Sequence, residues 1–137
     1  MAYDPVLVEN TRAWLVRASD DLRGAEIDLA ATPPLLKDAL FHSQQAVEKA
    51  LKAFLTWHDE PFSKTHNLTR LGKQCVAIEE TLRSLLNRAA SLSDYAWKFR
   101  YPGEPAEPTR AEAEECLALA REGVDAVLAR LPAEVKP

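Results

Sequence analysis

The sequence predicts an all-α fold, an antiparallel bundle of four to five helices made by one domain over residues 1–137. Three observations carry this. Apolar residues recur at steps of three and four along almost the whole chain. No run alternates in the two-residue rhythm of a β-strand. Prolines gather in short segments that separate the helical runs, and such short connections favour antiparallel neighbours.

The first helix is expected to begin at Pro5, with Asp4 as its N-cap, because proline suits the first helical position and an aspartate oxygen can accept from the orphan N–H groups. Val8, Leu15, Ala18, Leu22, Ala25 and Leu29 share one face. Ala31, Thr32, Pro33 and Pro34 end it, since neither proline can continue a helix from behind.

The second helix is read from about Pro34 to Trp57. Its apolar stripe is Leu36, Leu40, Ser43, Val47, Ala50, Phe54 and Trp57, and the opposite face carries His42, Gln45, Lys49 and Lys52. One greasy side and one wet side are expected. Asp59 to Lys64, with Pro61 inside, reads as a loop.

Spacing resumes at Leu68 and continues through Leu71, Cys75, Ile78, Leu82, Leu85, Ala89, Leu92, Ala96 and Phe99. Gly72 inside this run is tolerable at about 1 kcal/mol. Roughly 33 residues exceed usual globular helix lengths, so a kink is expected near Val76 to Thr81. Tyr101 to Pro108 holds too much proline to be helical. Thr109 and Glu112 then have the spacing of a capping box, followed by Ala113, Cys116, Ala120, Val124, Val127 and Leu131, with Pro132 as the stop.

Composition removes several functions. Seventeen Lys and Arg against 21 Asp and Glu give a net charge of −4, which excludes a uniformly basic nucleic-acid surface but not a local basic patch. With 47% hydrophobic residues the chain can build a core. Four glycines with no Gly-rich loop exclude P-loop and Rossmann phosphate binding. The N-terminus has no basic segment followed by an apolar run and no stretch is apolar enough to span a bilayer, so the cytoplasm is the expected compartment.

Cys75 and Cys116 form no C-x-x-C pair and read as buried free thiols. His42, His58 and His66 show neither H-E-x-x-H nor the Glu-x-x-His pairs of a di-iron bundle, so neither metal nor cofactor is expected.

Three local features stand out: the stretch Gln44-Gln45-x-x-Glu48-Lys49-x-x-Lys52-Ala53, the helix start Lys64-Thr65-His66, and Arg100-Tyr101-Pro102 at a helix end. In this order and at these distances, between a leading and a closing helix, they resemble the HEPN domain family (higher eukaryote and prokaryote nucleotide-binding domains). The resemblance covers nearly the whole chain. It implies a helical bundle that commonly forms a homodimer, paired in many members with a minimal nucleotidyltransferase in two-component or toxin–antitoxin systems. One branch of the family is metal-independent ribonucleases with an Arg-x4-6-His motif. This sequence departs from it: positions 105 to 107 after Arg100 are Pro, Ala and Glu, and none of the ten arginines has a histidine five to seven residues downstream. Loss of a general acid or base costs about 10²–10⁴ in rate.

The expected role is therefore a non-catalytic, nucleotide-binding or regulatory component. Lys49, Lys52, His66, Arg100 and Tyr101 are the candidate nucleotide-binding residues, facing ATP, GTP or RNA. Paired ammonium groups attract phosphate, a guanidinium offers a fork, a histidine at a helix start sits where anions are favoured, and a tyrosine can stack on a base. Each has a plainer reading. Lys49 and Lys52 would be a solvated helix back, with Glu48 and Lys52 an i,i+4 pair; His66 would lie beside a capping Thr65 or Asn67; Arg100 would bind its own helix carbonyls; Tyr101 would pack on Pro102. Trp14, Trp57 and Trp97 read as core or dimer contacts. Two other functions stay open: a divergent ribonuclease toxin recruiting His66 or His42, and a helical interaction module with no nucleotide site.

Overall fold

A computed structural model of the chain describes residues 2–99, 102 and 107–137, apart from the side chains at 95–97. Its helices are α1 (Pro5–Ala30), α2 (Leu36–Trp57), α3 (Leu68–Ile78), α4 (Arg83–Ala89), α5 (Ser91–Lys98) and α6 (Arg110–Leu128), with 3₁₀ turns at Glu80–Leu82 and Ala133–Val135. Among the described residues there is no strand, and the fold is the expected all-α bundle.

The caps follow from local chemistry. Asp4 Oδ1 accepts from the Val6 N–H at 2.9 Å, with Pro5 at the first position of α1. Thr109 and Glu112 close a reciprocal capping box on α6, at 3.1 and 3.0 Å. α2 starts at Leu36, two residues beyond Pro34, without a side-chain cap. α6 gives way after Leu128 to turns in which the Arg130 and Leu131 N–H groups bond three residues back, so Leu131 still reaches the core.

α2 is the axis of the molecule, touching α1, α3, α5 and α6. From Ser43 to Leu55 every residue except Lys49 is buried. Ala39, Ala46, Ala50 and Ala53 let neighbouring helices approach, while Leu51, Phe54 and Leu55 fill the space between. Each such large apolar side chain contributes about 1.5–3 kcal/mol when fully buried. The expected wet face is therefore corrected: Gln45 and Lys52 lie inside. A moment calculated from apolar residues alone misses polar groups that are buried because neighbouring helices bring them partners.

The long third run is broken, as its length predicts, by the turn at 80–82, and again at Ala90. The first break resets the helical phase. Leu86 rather than Leu85 turns inward, and Ile78, just before the break, is 39% exposed. Cys75 is fully buried but Cys116 is only half-buried, because Leu117 takes the inward position beside it. Trp14 and Trp57 pack against the core from its edge, while the Trp97 side chain lies outside the described residues.

Candidate functional site

One ion pair and one histidine–carboxylate contact join α1 and α2 in register. Lys49 Nζ lies 2.5 Å from Asp21 Oδ2, and His42 Nδ1 lies 2.6 Å from Asp28 Oδ2. Seven residues, or about two turns, separate the acids on α1 and the bases on α2, so antiparallel helices meet them in step. The His42 ring lies over Gly24, where an added Cβ would come within 3.3 Å of three ring atoms.

Directly before Lys49 on α2, Glu48 organises a second and deeper assembly. Its Oε2 receives Lys52 Nζ at 3.2 Å, and its Oε1 meets His66 Nδ1 at 2.9 Å and the amides of Gln44 and Gln45 at 3.3 and 3.5 Å. Gln44 Nε2 also donates to the His66 carbonyl at 3.0 Å. The carboxylate is 3% exposed, and several donors offset the desolvation that a buried charge suffers. Lys52, itself 9% exposed, sits 5.5 Å from the centre of the Trp14 ring and 5.9 Å from that of Phe62, in cation–π range.

His66 reaches Glu48 because the residues around it hold the start of α3 in place. Thr65 Oγ1 accepts from the Asn67 N–H, and Asn67 Oδ1 accepts from the Arg70 N–H as N-cap. Ser93 Oγ accepts from the Leu68 N–H at 3.1 Å and donates to the His66 carbonyl at 3.3 Å, tying α5 to the same corner. The His66 side chain is 63% exposed and borders an open hollow of about 400 Å³, lined also by Thr65, Asn67, Thr69, Ser93 and Asp94. The buried carboxylate holds the ring through Nδ1 and so fixes an exposed imidazole at the rim of that hollow.

Of the predicted site residues, the structure thus gathers Lys52 and His66 on one carboxylate and sets Lys49 apart on Asp21. Lys52 has little open surface, and neither lysine is a solvated helix back. Arg100 and Tyr101 lie outside the described residues. The sequence reading missed Asp21, Asp28, Trp14, Phe62 and Ser93 as partners. A signal for the first two was present, since Asp21 and Asp28 repeat at the same interval as His42 and Lys49.

The remaining ionisable groups of interest lie elsewhere. Burial pushes the Cys75 thiol up to about 12, and burial with Glu115 and Glu112 nearby pushes Cys116 up to about 11, so neither is a nucleophile near neutral pH. His58 packs against Phe54 with ring centres 4.5 Å apart and planes inclined at 48°, and partial burial lowers its pKa against the opposing pull of Glu79.

The all-helical architecture, with a glutamine-, glutamate- and lysine-bearing axis joined to a Lys-Thr-His helix start, is that of a HEPN domain. The HEPN domain model matches residues 11–130, and the chain belongs to that family. It is 30% identical over 125 residues, covering 80% of each chain, to a protein of Methanocaldococcus jannaschii described as a putative toxin. No solved structure matches. Among the described residues, no helix is long and apolar enough to cross a membrane.

Proposed function

We propose that this chain is the HEPN component of a two-component toxin–antitoxin system, a homodimer that pairs with a minimal nucleotidyltransferase and binds nucleotide or RNA without cutting it. The observation that carries the non-catalytic part is the missing histidine downstream of any arginine. The toxin assignment is supported by the family and by the relative described as a putative toxin. In this reading the ligand meets His66, Arg100 and Tyr101. Lys52 acts from behind, through Glu48, and Lys49 contributes at the flank beside Asp21.

The experiment is co-expression with the product of the adjacent reading frame, followed by co-purification and mass determination. A complex that holds two copies of this chain and a nucleotidyltransferase supports the pairing, and separate elution of the two products refutes it. Equilibrium binding of ATP, GTP and a short RNA to the purified chain, repeated with Arg100→Ala, tests the ligand half. Specific RNA cleavage by the chain alone, without added metal and lost in Arg100→Ala, refutes the non-catalytic half.

A second reading has its own observation. The Glu48–His66 pair places a steadied imidazole at the rim of an open hollow, which favours a divergent ribonuclease that uses His66 in place of the missing motif histidine. Metal-free cleavage abolished in His66→Ala and retained in Arg100→Ala selects this reading over the first.

A further inference from the structure

The hollow of about 400 Å³ that His66 borders is lined by acceptors rather than cations. Neither a lysine nor an arginine lines it among the described residues. Asp94, also on its lining, is exposed and makes no ion pair among the described residues. The start of α3, which could otherwise attract an anion, already has partners for its N–H groups. Those of Asn67, Leu68 and Arg70 donate to Thr65 Oγ1, Ser93 Oγ and Asn67 Oδ1, each at 3.1 Å. A phosphate placed here meets the Asp94 carboxylate and gains few donors in return.

The contacts of His66 fix which ring nitrogen carries hydrogen. Its Nδ1 lies 2.9 Å from Glu48 Oε1, on a carboxylate that also receives the Lys52 ammonium and the Gln44 amide. An ionised carboxylate has no hydrogen to give, so the ring hydrogen sits on Nδ1. Gln44, fully buried, holds the backbone of the same residue by donating to the His66 carbonyl at 3.0 Å. Ring and backbone are thus held from two residues one turn apart on α2. In the neutral ring Nε2 is then a hydrogen-bond acceptor, on the edge turned away from Glu48.

We propose that this hollow binds the ribose of a ribonucleotide, with His66 Nε2 and the Asp94 carboxylate accepting from the 2′- and 3′-hydroxyls. Glu48 is the positioning residue that sets the His66 tautomer. Two acceptors on one hollow match a vicinal diol, whose O–H groups both donate, and a carboxylate on ribose hydroxyls is a recurrent arrangement in nucleotide sites. A contact to the 2′-hydroxyl also separates ribonucleotides from deoxyribonucleotides. The inference rests on the nucleotide reading above and deepens it. The phosphate and base of the ligand fall to Arg100 and Tyr101, and His66 reads the sugar.

The test is binding of ATP and GTP, and of their 2′,3′-dideoxy counterparts, to the full ¹⁵N-labelled chain, read by calorimetry and amide shifts. At least one ribonucleotide should bind about tenfold or more tighter than its dideoxy form and shift the amides of Asn67, Thr69 and Asp94. Asp94→Ala, at an exposed position, should weaken that ribonucleotide about tenfold and leave the dideoxy form unchanged. A carboxylate that only repels phosphate gives the reverse, tighter binding in Asp94→Ala, and that result overturns the proposal. So does equal affinity for the two forms, which leaves nucleotide binding itself intact, or a shift of the same amides by inorganic phosphate. If neither ribonucleotide binds, the ribose site is overturned, and the RNA titration above decides separately whether the nucleotide reading stands. The long-range ¹H–¹⁵N spectrum of the unliganded chain at pH 8 should place the His66 hydrogen on Nδ1, and Glu48→Gln should release it towards Nε2. Hydrogen on Nε2 in the unaltered chain removes the acceptor and overturns the proposal without any variant.

Discussion

The carboxylate of Glu48 and the imidazole of His66 meet at 2.9 Å, one nearly closed to solvent and the other mostly open to it. That contact converts two separate sequence features, a helix interior and a helix start, into one unit. Its inner half is structural, because Lys52, Gln44 and Gln45 converge on the same carboxylate. Its outer half is where chemistry or ligand contact can happen. The fold therefore holds a buried ion pair whose visible consequence is the orientation of one surface histidine.

Breaking the pair from one side should be costly. Glu48→Gln keeps the shape but leaves the Lys52 ammonium without a counter-charge, and a destabilisation of about 3–5 kcal/mol is expected in urea or thermal unfolding. The double variant Glu48→Gln with Lys52→Met removes both charges and should recover at least half of that loss. If the two substitutions add without coupling, the pair is energetically silent and the inner half of the unit has another basis.

The contact between Gly24 and His42 sets a sign. Alanine is favoured over glycine within a helix by about 0.8–1 kcal/mol. Here, however, the new Cβ would sit at 3.3 Å from a ring that Asp28 holds at 2.6 Å, so the ring cannot withdraw without lengthening that bond. Gly24→Ala should therefore fail to stabilise the wild-type chain, yet stabilise His42→Ala by about the propensity difference. Comparing unfolding midpoints across the four proteins decides it.

Much of this was readable in advance, for identifiable reasons. α1 and α6 have one apolar face and side-chain caps at their starts, so Asp4, Pro5, Thr109 and Glu112 mark where they begin. The break after Ile78 followed from length alone, but its effect on phase did not, which is why Leu85 was placed inward and Leu86 was not. α2 was misread on one side because periodicity treats a polar face as wet. On that face Lys49 and His42 meet Asp21 and Asp28 of α1, which are tertiary pairings, while Lys52 is paired within α2 by Glu48, a carboxylate that His66 joins from the start of α3. The Lys-Thr-His and Gln-Gln motifs were legible as residues, while the carboxylate that joins them was visible only in three dimensions.

The two thiols predict an alkaline effect with a definite sign. A free thiol titrates near 9, whereas burial holds Cys75 to about 12 and Cys116 to about 11. Above pH 9 the unfolded chain releases protons that the native chain retains, so this contribution is fully present below pH 9 and is lost as the pH rises towards 11–12. Unfolding midpoints measured at pH 8 and pH 10 should fall, and should fall less when Cys75 is replaced by alanine. At pH 8 a thiol reagent should label the native protein far more slowly than the denatured one, with half-buried Cys116 modified before Cys75.

Thr11 supplies a prediction in the stabilising direction. It is fully buried on the inner face of α1, and its hydroxyl has no hydrogen-bond partner among the described residues. A buried hydroxyl in that state costs about 1–3 kcal/mol relative to a satisfied one, and the penalty disappears if the oxygen is replaced by a methyl of similar size. Valine makes that replacement with nearly the same shape, retains the β-branch, and has a helix propensity close to that of threonine. Thr11→Val should therefore raise the stability by about 1 kcal/mol, which for a chain of this size corresponds to a melting temperature higher by about 3–5 °C. Thr11→Ser should not reproduce the gain, because it keeps the hydroxyl and adds a methyl-sized void. A lower melting temperature for Thr11→Val would mean that the hydroxyl is satisfied in solution, by a bound water or a backbone carbonyl, and contributes to holding α1 in place.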